Sequence, residues 1–373
     1  MMSNSLRARA WVDVDSAALR ENYRTVAARV GARVGIIPMV KADGYGMGAE
    51  LVVRVIDDLQ PVAYGVAAAD EGAQLRQAGV TRPIIVFTPL SADGLRVAAE
   101  QRLTPAISSL EMLDRWCALR AGGFHVEIDT GMGRAGFDWR DTAQWGERVH
   151  AAAGPDVPWE GVYTHFHGAD AADATPTAAQ WQRFQDALAQ LPVSREDLMV
   201  HACNSAAALR WPEYGLDAVR PGIFLYGGHP APVVSEPRQL VPQPVAAVRG
   251  RLVLVREVPP ASTVGYGATH AAKGWERWAT VAIGYGDGLP RALGNVGFAI
   301  VRGRKVRIVG RISMDMTVVD VTGVVEAATG DVATFIGAEG EEEILVDEVA
   351  AQVGTISYEI LTGLLPRLPR VEL

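Results

Sequence analysis

Residues 35–42 read GIIPMVKA, a short apolar run that ends abruptly at Lys41. A run of this length, bounded by glycine and a charge, is the pattern of a buried strand. Seven runs of the same kind follow: AYGVAA (63–68), PIIVFTP (83–89), TPAIS (104–108), FHVEID (124–129), GVYTHF (161–166), LMVHACN (198–204) and DAVRPG (217–222). Between them lie amphipathic segments. DEGAQLRQAG (70–79) has acids in its first turn and Gly79 as a stop, and SLEMLDRWCALRAGG (109–123) opens on Ser109 as a cap. Eight strand–helix units predict an α/β fold with a (β/α)8 TIM-type barrel, whose chemistry belongs at the carboxyl ends of the strands.

Outward from this repeat the pattern changes on both sides. Upstream, AWVDVD (10–15) precedes a helix with apolar spacing at Leu19, Tyr23, Val26 and Val30. That strand falls outside the eight units and is a candidate to join another sheet. Downstream of Pro242 come Gly-punctuated apolar stretches such as VAAVRGRLVLVREV (245–258), ATVAIGYGDG (279–288), GFAIVRGRKVRIVGRI (297–312) and MTVVDVTG (316–323), with almost no helical periodicity before residue 345. This predicts a mainly β C-terminal domain. The proline-rich GHPAPVVSEPRQLVPQP (228–244) reads as the linker, which divides the chain into a barrel over 1–238 and a β domain over 239–373.

Bulk properties narrow the function classes. At 373 residues, 49% hydrophobic and 21% charged, the chain has the composition of a folded two-domain protein. The formal charge of -8, with no run of Lys or Arg, points away from nucleic acid and from anionic membranes and toward a small-molecule partner. MMSNSLRARAWVDVD lacks the apolar core of a secretory signal and no stretch is long enough to span a bilayer, so the expected location is cytoplasmic. Cys117 and Cys203 lack the spacing of a zinc site; Cys117 follows Leu110 and Leu113 at helical spacing as a core residue.

Polar side chains gather at the strand ends. Lys41 closes the first strand, where it either snorkels to solvent or, partly desolvated, serves as an amine able to form a Schiff base. Loops after the seventh and eighth strands commonly hold phosphate in such barrels. Here Asn204 and Ser205 open a helix whose amides and hydroxyl suit an anion, while Gly222 lets backbone approach and the Gly222 and Ile223 amides are candidate donors. His165 and His167 fall on one side by alternation, with His201 and Cys203 nearby, so a metal-dependent hydrolase competes. Arg220, ending the eighth strand, would repel a metal, and a hydrolase leaves Lys41 unexplained.

In this order the chain carries VKADGYG (40–46), DTGMGRAG (129–136), THF (164–166), CNSAA (203–207), RPGIFLYG (220–227), VGYGATH (264–270), GYGDGLPR (284–291), GRISMDM (310–316) and TISYE (355–359). It resembles the alanine racemases from AWVDVDSAALRENY to SYEILT, nearly its whole length. The resemblance implies pyridoxal 5'-phosphate bound to Lys41 as a Schiff base, with Tyr45, Ser205, Tyr358 and the Gly222 and Ile223 amides on the phosphate. His165 and Asn204 join the cofactor-binding set, and Arg220 faces the pyridine nitrogen. It further implies that Tyr266 is the second base, that Arg134 and Met314 meet the substrate carboxylate region, and that Tyr285 and Asp315 line the entrance. His165 and Arg220 are candidate cationic neighbours of the Tyr266 phenol. Tyr266 and Met314 would be lent by a second copy, giving a homodimer with shared active sites. The implied reaction interconverts L- and D-alanine and supplies D-alanine for cell-wall peptidoglycan.

One departure stands out. Glu127 occupies the place where the family usually has a carbamylated lysine, and a carboxylate there is expected to hold Arg134 by a charge-assisted bond; the alternative is a solvated, uncoupled Glu127. Rival readings remain: a racemase with broader specificity or one for serine or basic amino acids, a cofactor-carrying barrel without catalysis, and, more distantly, the metal-dependent hydrolase.

Overall fold

The computed structural model describes residues 7–230 and 240–373. Strand β1 (Ala10–Val14) is followed by the 15-residue helix Ser16–Val30, capped where the Asp15 carboxylate accepts from the Ala18 amide. Then come the barrel strands β2 (Gly35–Ile36), β3 (Tyr64–Val66), β4 (Ile84–Val86), β5 (Thr104–Ile107) and β6 (Phe124–Asp129). After a short β7 (Phe137–Asp138) the series continues with β8 (Trp159–Tyr163), β9 (Met199–Asn204) and β10 (Ala218–Arg220).

The barrel strands run parallel in the order β2-β10-β9-β8-β6-β5-β4-β3, with β7 beside β6. The ring closes through residues just past β2. Gly65 donates to the Pro38 carbonyl at 2.9 Å and accepts from the Val40 amide at 2.8 Å. Pro38 has no N–H to give, so its carbonyl alone carries that side of the ladder. Gly65 makes room at this closure for the Met39 side chain, whose sulfur would lie 2.4 Å from a Cβ there. All eight runs read from the sequence are barrel strands. The expected alternation of His165 and His167 does not hold, because β8 ends at Tyr163 and both residues lie in the loop beyond it.

The second domain begins with β11 (Ala246–Val258) and continues through β12 (Thr263–Val264), β13 (His270–Ala271), β14 (Glu276–Val281), β15 (Phe298–Val301), β16 (Arg304–Arg307), β17 (Thr317–Asp320), β18 (Val332–Glu339), β19 (Glu342–Ile344) and, after two short helices, β20 (Arg370–Glu372). Strand β11 is long enough to serve three partners. Its first half pairs antiparallel with β1 and β18, and past a register shift between Leu252 and Leu254 its second half pairs with β14. Strand β1 lies between β11 and β20, so the chain start belongs to the C-terminal sheet, as its place outside the repeat suggested. The domain boundary after residue 238 and the middle of the proline-rich linker lie outside the described residues. No described helix is long and apolar enough to cross a membrane.

Candidate active site

Lys41 emerges from the closing edge of the barrel into an unusual turn. Ala42, Asp43, Gly44 and Tyr45 have φ of 51°, 53°, 61° and 52°, four consecutive residues in the left-handed region. Each non-glycine residue there costs roughly 1–2 kcal/mol, so the turn must be held by its surroundings. Asp43 accepts from the Ala49 amide at 2.8 Å, and Glu71 accepts from the Ala42 amide at 2.6 Å. Gly46 follows at φ 82°, and a Cβ there would fall 2.2 Å from the Leu361 carbonyl oxygen. That contact seats the turn against the helix Ser357–Thr362 of the second domain. The Lys41 ammonium is held below its usual range by burial first, and then by the charges of Arg134 and Arg220.

The cavity that Lys41 lines has an anion-shaped end. The short helix Ser205–Arg210 is capped by Asn204, whose side chain accepts from the Ala207 amide at 3.0 Å. Ser205 is buried and accepts from the Gly222 amide at 2.8 Å. A Cβ on Gly222 would stand 2.2 Å from the Tyr45 hydroxyl, so backbone and phenol meet there. Ile223 follows in the same wall, and Tyr358 brings a second phenol from the C-terminal domain, its ring 6.0 Å from that of Tyr45. The Tyr45 ring stacks on Tyr226 at 4.6 Å, and burial pushes its phenol well above the usual range, so it is a neutral donor. Hydroxyls, amides and a helix start converge with no carboxylate among them.

Opposite lies Arg220, fully buried. Its guanidinium donates to the Thr164 carbonyl at 2.8 Å and the Ala202 carbonyl at 3.1 Å, and contacts His201 Nδ1 at 2.6 Å and His165 Nδ1 at 3.3 Å. The rings of Tyr163 and Phe87 lie 5.0 Å and 5.6 Å from it. His201 in turn contacts His125 Nδ1 at 3.0 Å. The strand pattern explains this packing: His125 and Glu127 share one face of β6, and Gly161 on β8 leaves room for the imidazole, since a Cβ there would lie 2.4 Å from it. Burial and Arg220 push His125 down to about 3, and hold His165 and His201 well below their ordinary range. His165 is therefore neutral and cannot act as a cation toward Tyr266; Arg220 is the permanent charge.

Glu127 also differs from expectation. It is buried at 3% exposure, which rules out a solvated carboxylate. Its Oε2 accepts from the Tyr163 hydroxyl at 3.0 Å and the Ser108 hydroxyl at 3.4 Å. The expected bond to Arg134 is not formed: among the described residues no ion pair within 4.0 Å joins them. The shorter glutamate side chain reaches the Tyr163 hydroxyl on the neighbouring strand instead. Burial makes its carboxyl a weaker acid than an ordinary glutamate, against the pull of Tyr163, Arg134 and Arg220. Glu127 and Arg134 nonetheless line the same cavity.

Tyr266, Tyr285, Met314 and Asp315 do not line it within this chain. They gather on one surface of the second domain. Gly265 packs on the Arg311 backbone, the Tyr285 and Gly286 amides donate to the Ser313 and Met314 carbonyls, and Arg367 donates to Asp315 at 2.7 Å. Tyr266 is 69% exposed and Met314 52%.

Sequence reasoning passed over Met39, Phe87 and Tyr163, all of which line the cavity, and His125 behind it. A uniform rule, to inspect every side chain at a strand's carboxyl end, would have found Phe87 and Tyr163. His125 was signalled only by its place two residues before Glu127. His167 leaves the site: its backbone amide donates to Gln180 and its side chain is exposed. Cys203 is buried and its thiol is pushed up to about 12, so it is inert.

Two family models match in tandem, "Alanine racemase, N-terminal domain" over residues 14–230 and "Alanine racemase, C-terminal domain" over 245–372. The chain is 38% identical to an alanine racemase from Desulfosudis oleivorans, covering 97% of this chain and 96% of the relative, and 35% identical to one from Halothermothrix orenii, covering 96% of each. Its structure is similar to that of alanine racemase from D-cycloserine-producing Streptomyces lavendulae, with a TM-score of 0.91 at 33% identity over 98% of this chain and 97% of that one. Motif order, barrel-plus-sheet architecture and full-length similarity converge, and the chain belongs to the alanine racemase family.

Proposed function

We propose that this protein is a racemase that interconverts L- and D-alanine using pyridoxal 5'-phosphate, and that it works as a homodimer. The observation that carries the reading is Lys41, desolvated at the barrel mouth in a cavity where Lys41, Arg134 and Arg220 face the single carboxylate Glu127. That excess of positive charge, with neutral donors at one end, suits a ligand with a phosphate at one end and a carboxylate at the other. The Ser205, Tyr45 and Tyr358 hydroxyls and the Gly222 and Ile223 amides would hold the phosphate, with Asn204 ordering the helix start and His165 beside Arg220.

When bound, the cofactor supplies an electron-withdrawing ring conjugated to the substrate nitrogen, which acidifies the α-carbon proton. Lys41 Nζ, once free, carries a proton to or from one face of that carbon. Its lowered basicity makes the neutral amine available nearer neutral pH. Arg134 orients the substrate carboxylate, with Glu127 supplying a negative charge behind it. Arg220 has only N–H donors and does not give up its proton, so a pyridine nitrogen held against it would accept a hydrogen bond and would stay unprotonated.

A proton acceptor for the other face must come from elsewhere, since Tyr266 lies outside the cavity of its own chain. The surface that bears Tyr266 also exposes Tyr285, Met314 and Met316, with Ile356 exposed at 61% beside Tyr358. Exposed apolar side chains of this size suit an interface. In a two-fold dimer, Tyr266 of the partner subunit would enter the Lys41 cavity, Met314 would accompany it, and Tyr285 and Asp315 would frame the entrance.

The test is racemisation of a panel of amino acids by the purified protein with pyridoxal phosphate, followed by optical rotation, together with molecular mass in solution. Turnover of alanine in both directions by a dimer is expected. No turnover of either alanine enantiomer overturns the reading, and comparable kcat/KM for serine or a basic amino acid makes it a broader racemase.

A further inference from the structure

Glu71 sits three residues into the helix Ala69–Gln77, with no counterpart among the residues discussed for chemistry, yet its carboxylate is shared between two tasks. Oε2 accepts from the amides of Ala67 at 2.7 Å and Ala68 at 3.2 Å, satisfying donors at its own helix start. Oε1 reaches across 29 residues of sequence to the Ala42 amide at 2.6 Å. Ala42 is the first residue of the left-handed turn, and its amide is an orphan donor of that turn's start. A helix start needs only one of these contacts, whereas the Ala42 bond ties the strand β3 loop to the residue that follows Lys41.

We propose that Glu71 is a positioning residue for Lys41, fixing the turn that aims the amine into the cavity and placing a negative charge beside it. The inference rests on the reading of Lys41 as the cofactor-bearing amine. The charges that face Lys41 divide by sign. Arg134 and Arg220 favour its neutral form and Glu71 its protonated form, while His165 is neutral. Glu71 thus opposes the two arginines, and in the cofactor-free protein the balance sets how much of the amine is free to react.

The experiment follows covalent uptake of pyridoxal phosphate by cofactor-free protein against pH, trapping the product with borohydride and locating it by peptide mass. Uptake needs the neutral amine. Glu71→Gln removes the charge and turns one acceptor into a donor, so uptake should slow about tenfold and its pH midpoint should move down by about half a unit. Glu71→Asp keeps the charge and the helix start but falls one methylene short of Ala42. It should slow uptake while leaving the midpoint in place, and it reads the geometric part should Glu71→Gln fail to fold. If both variants lose only thermal stability and take up cofactor as wild type does, Glu71 is a helix cap and this inference is overturned alone. A wild-type protein that yields no borohydride-stable adduct on Lys41 overturns the Lys41 reading, and this inference with it.

Discussion

The Arg220 guanidinium donates to His201 Nδ1 across 2.6 Å, and that contact fixes the protons along a line of three buried side chains. Arginine can only donate, so Nδ1 of His201 must accept and its proton must sit on Nε2. That proton then points at His125 Nδ1, 3.0 Å away, leaving His125 neutral as well. The line keeps a buried guanidinium in one orientation without spending a carboxylate on it.

Neutral histidines make the fold sensitive to acid. His125 titrates at about 3 when folded against an ordinary value of 6.5, so between those values the unfolded chain binds the proton and the folded one does not. Stability therefore falls as pH drops below about 6.5, by roughly 1.4 kcal/mol per pH unit for one such group. His165 and His201 act in the same direction. Urea-unfolding midpoints measured from neutral to mildly acid pH should show this decline, and His125→Gln should flatten it. A slope unchanged in that variant would contradict the assignment.

Arg134 should act on Lys41 with the sign opposite to Glu71. Its charge lowers the basicity of the amine, so Arg134→Ala should move the pH midpoint of cofactor uptake upward. The same variant should raise KM for alanine far more than it lowers kcat, since the lost contact is to the substrate carboxylate in ground and transition state alike.

Glu127 gives a sharper substrate test. Glu127→Gln keeps an oxygen for the Tyr163 hydroxyl and removes only the charge behind Arg134. A screened charge worth on the order of 1 kcal/mol would raise KM about fivefold. Steady-state kinetics with both enantiomers measures this, and an unaltered KM would reduce Glu127 to a packing role.

Gly222 admits no side chain. An added Cβ would stand 2.2 Å from the Tyr45 hydroxyl, and Tyr45 is buried against Tyr226 with nowhere to retreat. Gly222→Ala should weaken pyridoxal phosphate binding by about tenfold or more, measured by fluorescence titration of the cofactor-free protein, with less effect on the unfolding midpoint.

Subunit mixing tests the shared site. Lys41→Ala and Tyr266→Phe should each abolish racemisation, the second with cofactor uptake intact. Unfolded together and refolded, they should recover about a quarter of wild-type activity, because half the dimers are mixed and each mixed dimer carries one complete site. No recovery would place Tyr266 with the Lys41 of its own chain.

Local pattern alone specified a good deal. The eight barrel strands, the detached first strand, the β character after Pro242 and the place of Lys41 at the barrel mouth were all legible, because strand length, burial and turn chemistry are properties of contiguous residues. That Gly222 and Ser205 fall in one wall of the cavity was legible too, since loops after fixed strands of a barrel have known places. The partner of a side chain was not. Glu127 was expected on Arg134 and found on Tyr163, His165 was expected as a cation and is neutral, and His125 and Glu71 carried no sign of their contacts. Sequence spacing sets which way a residue points from its own strand; whether it meets a hydroxyl, a guanidinium or an amide depends on neighbours brought in from elsewhere, and the charge it carries depends on how much water those neighbours leave.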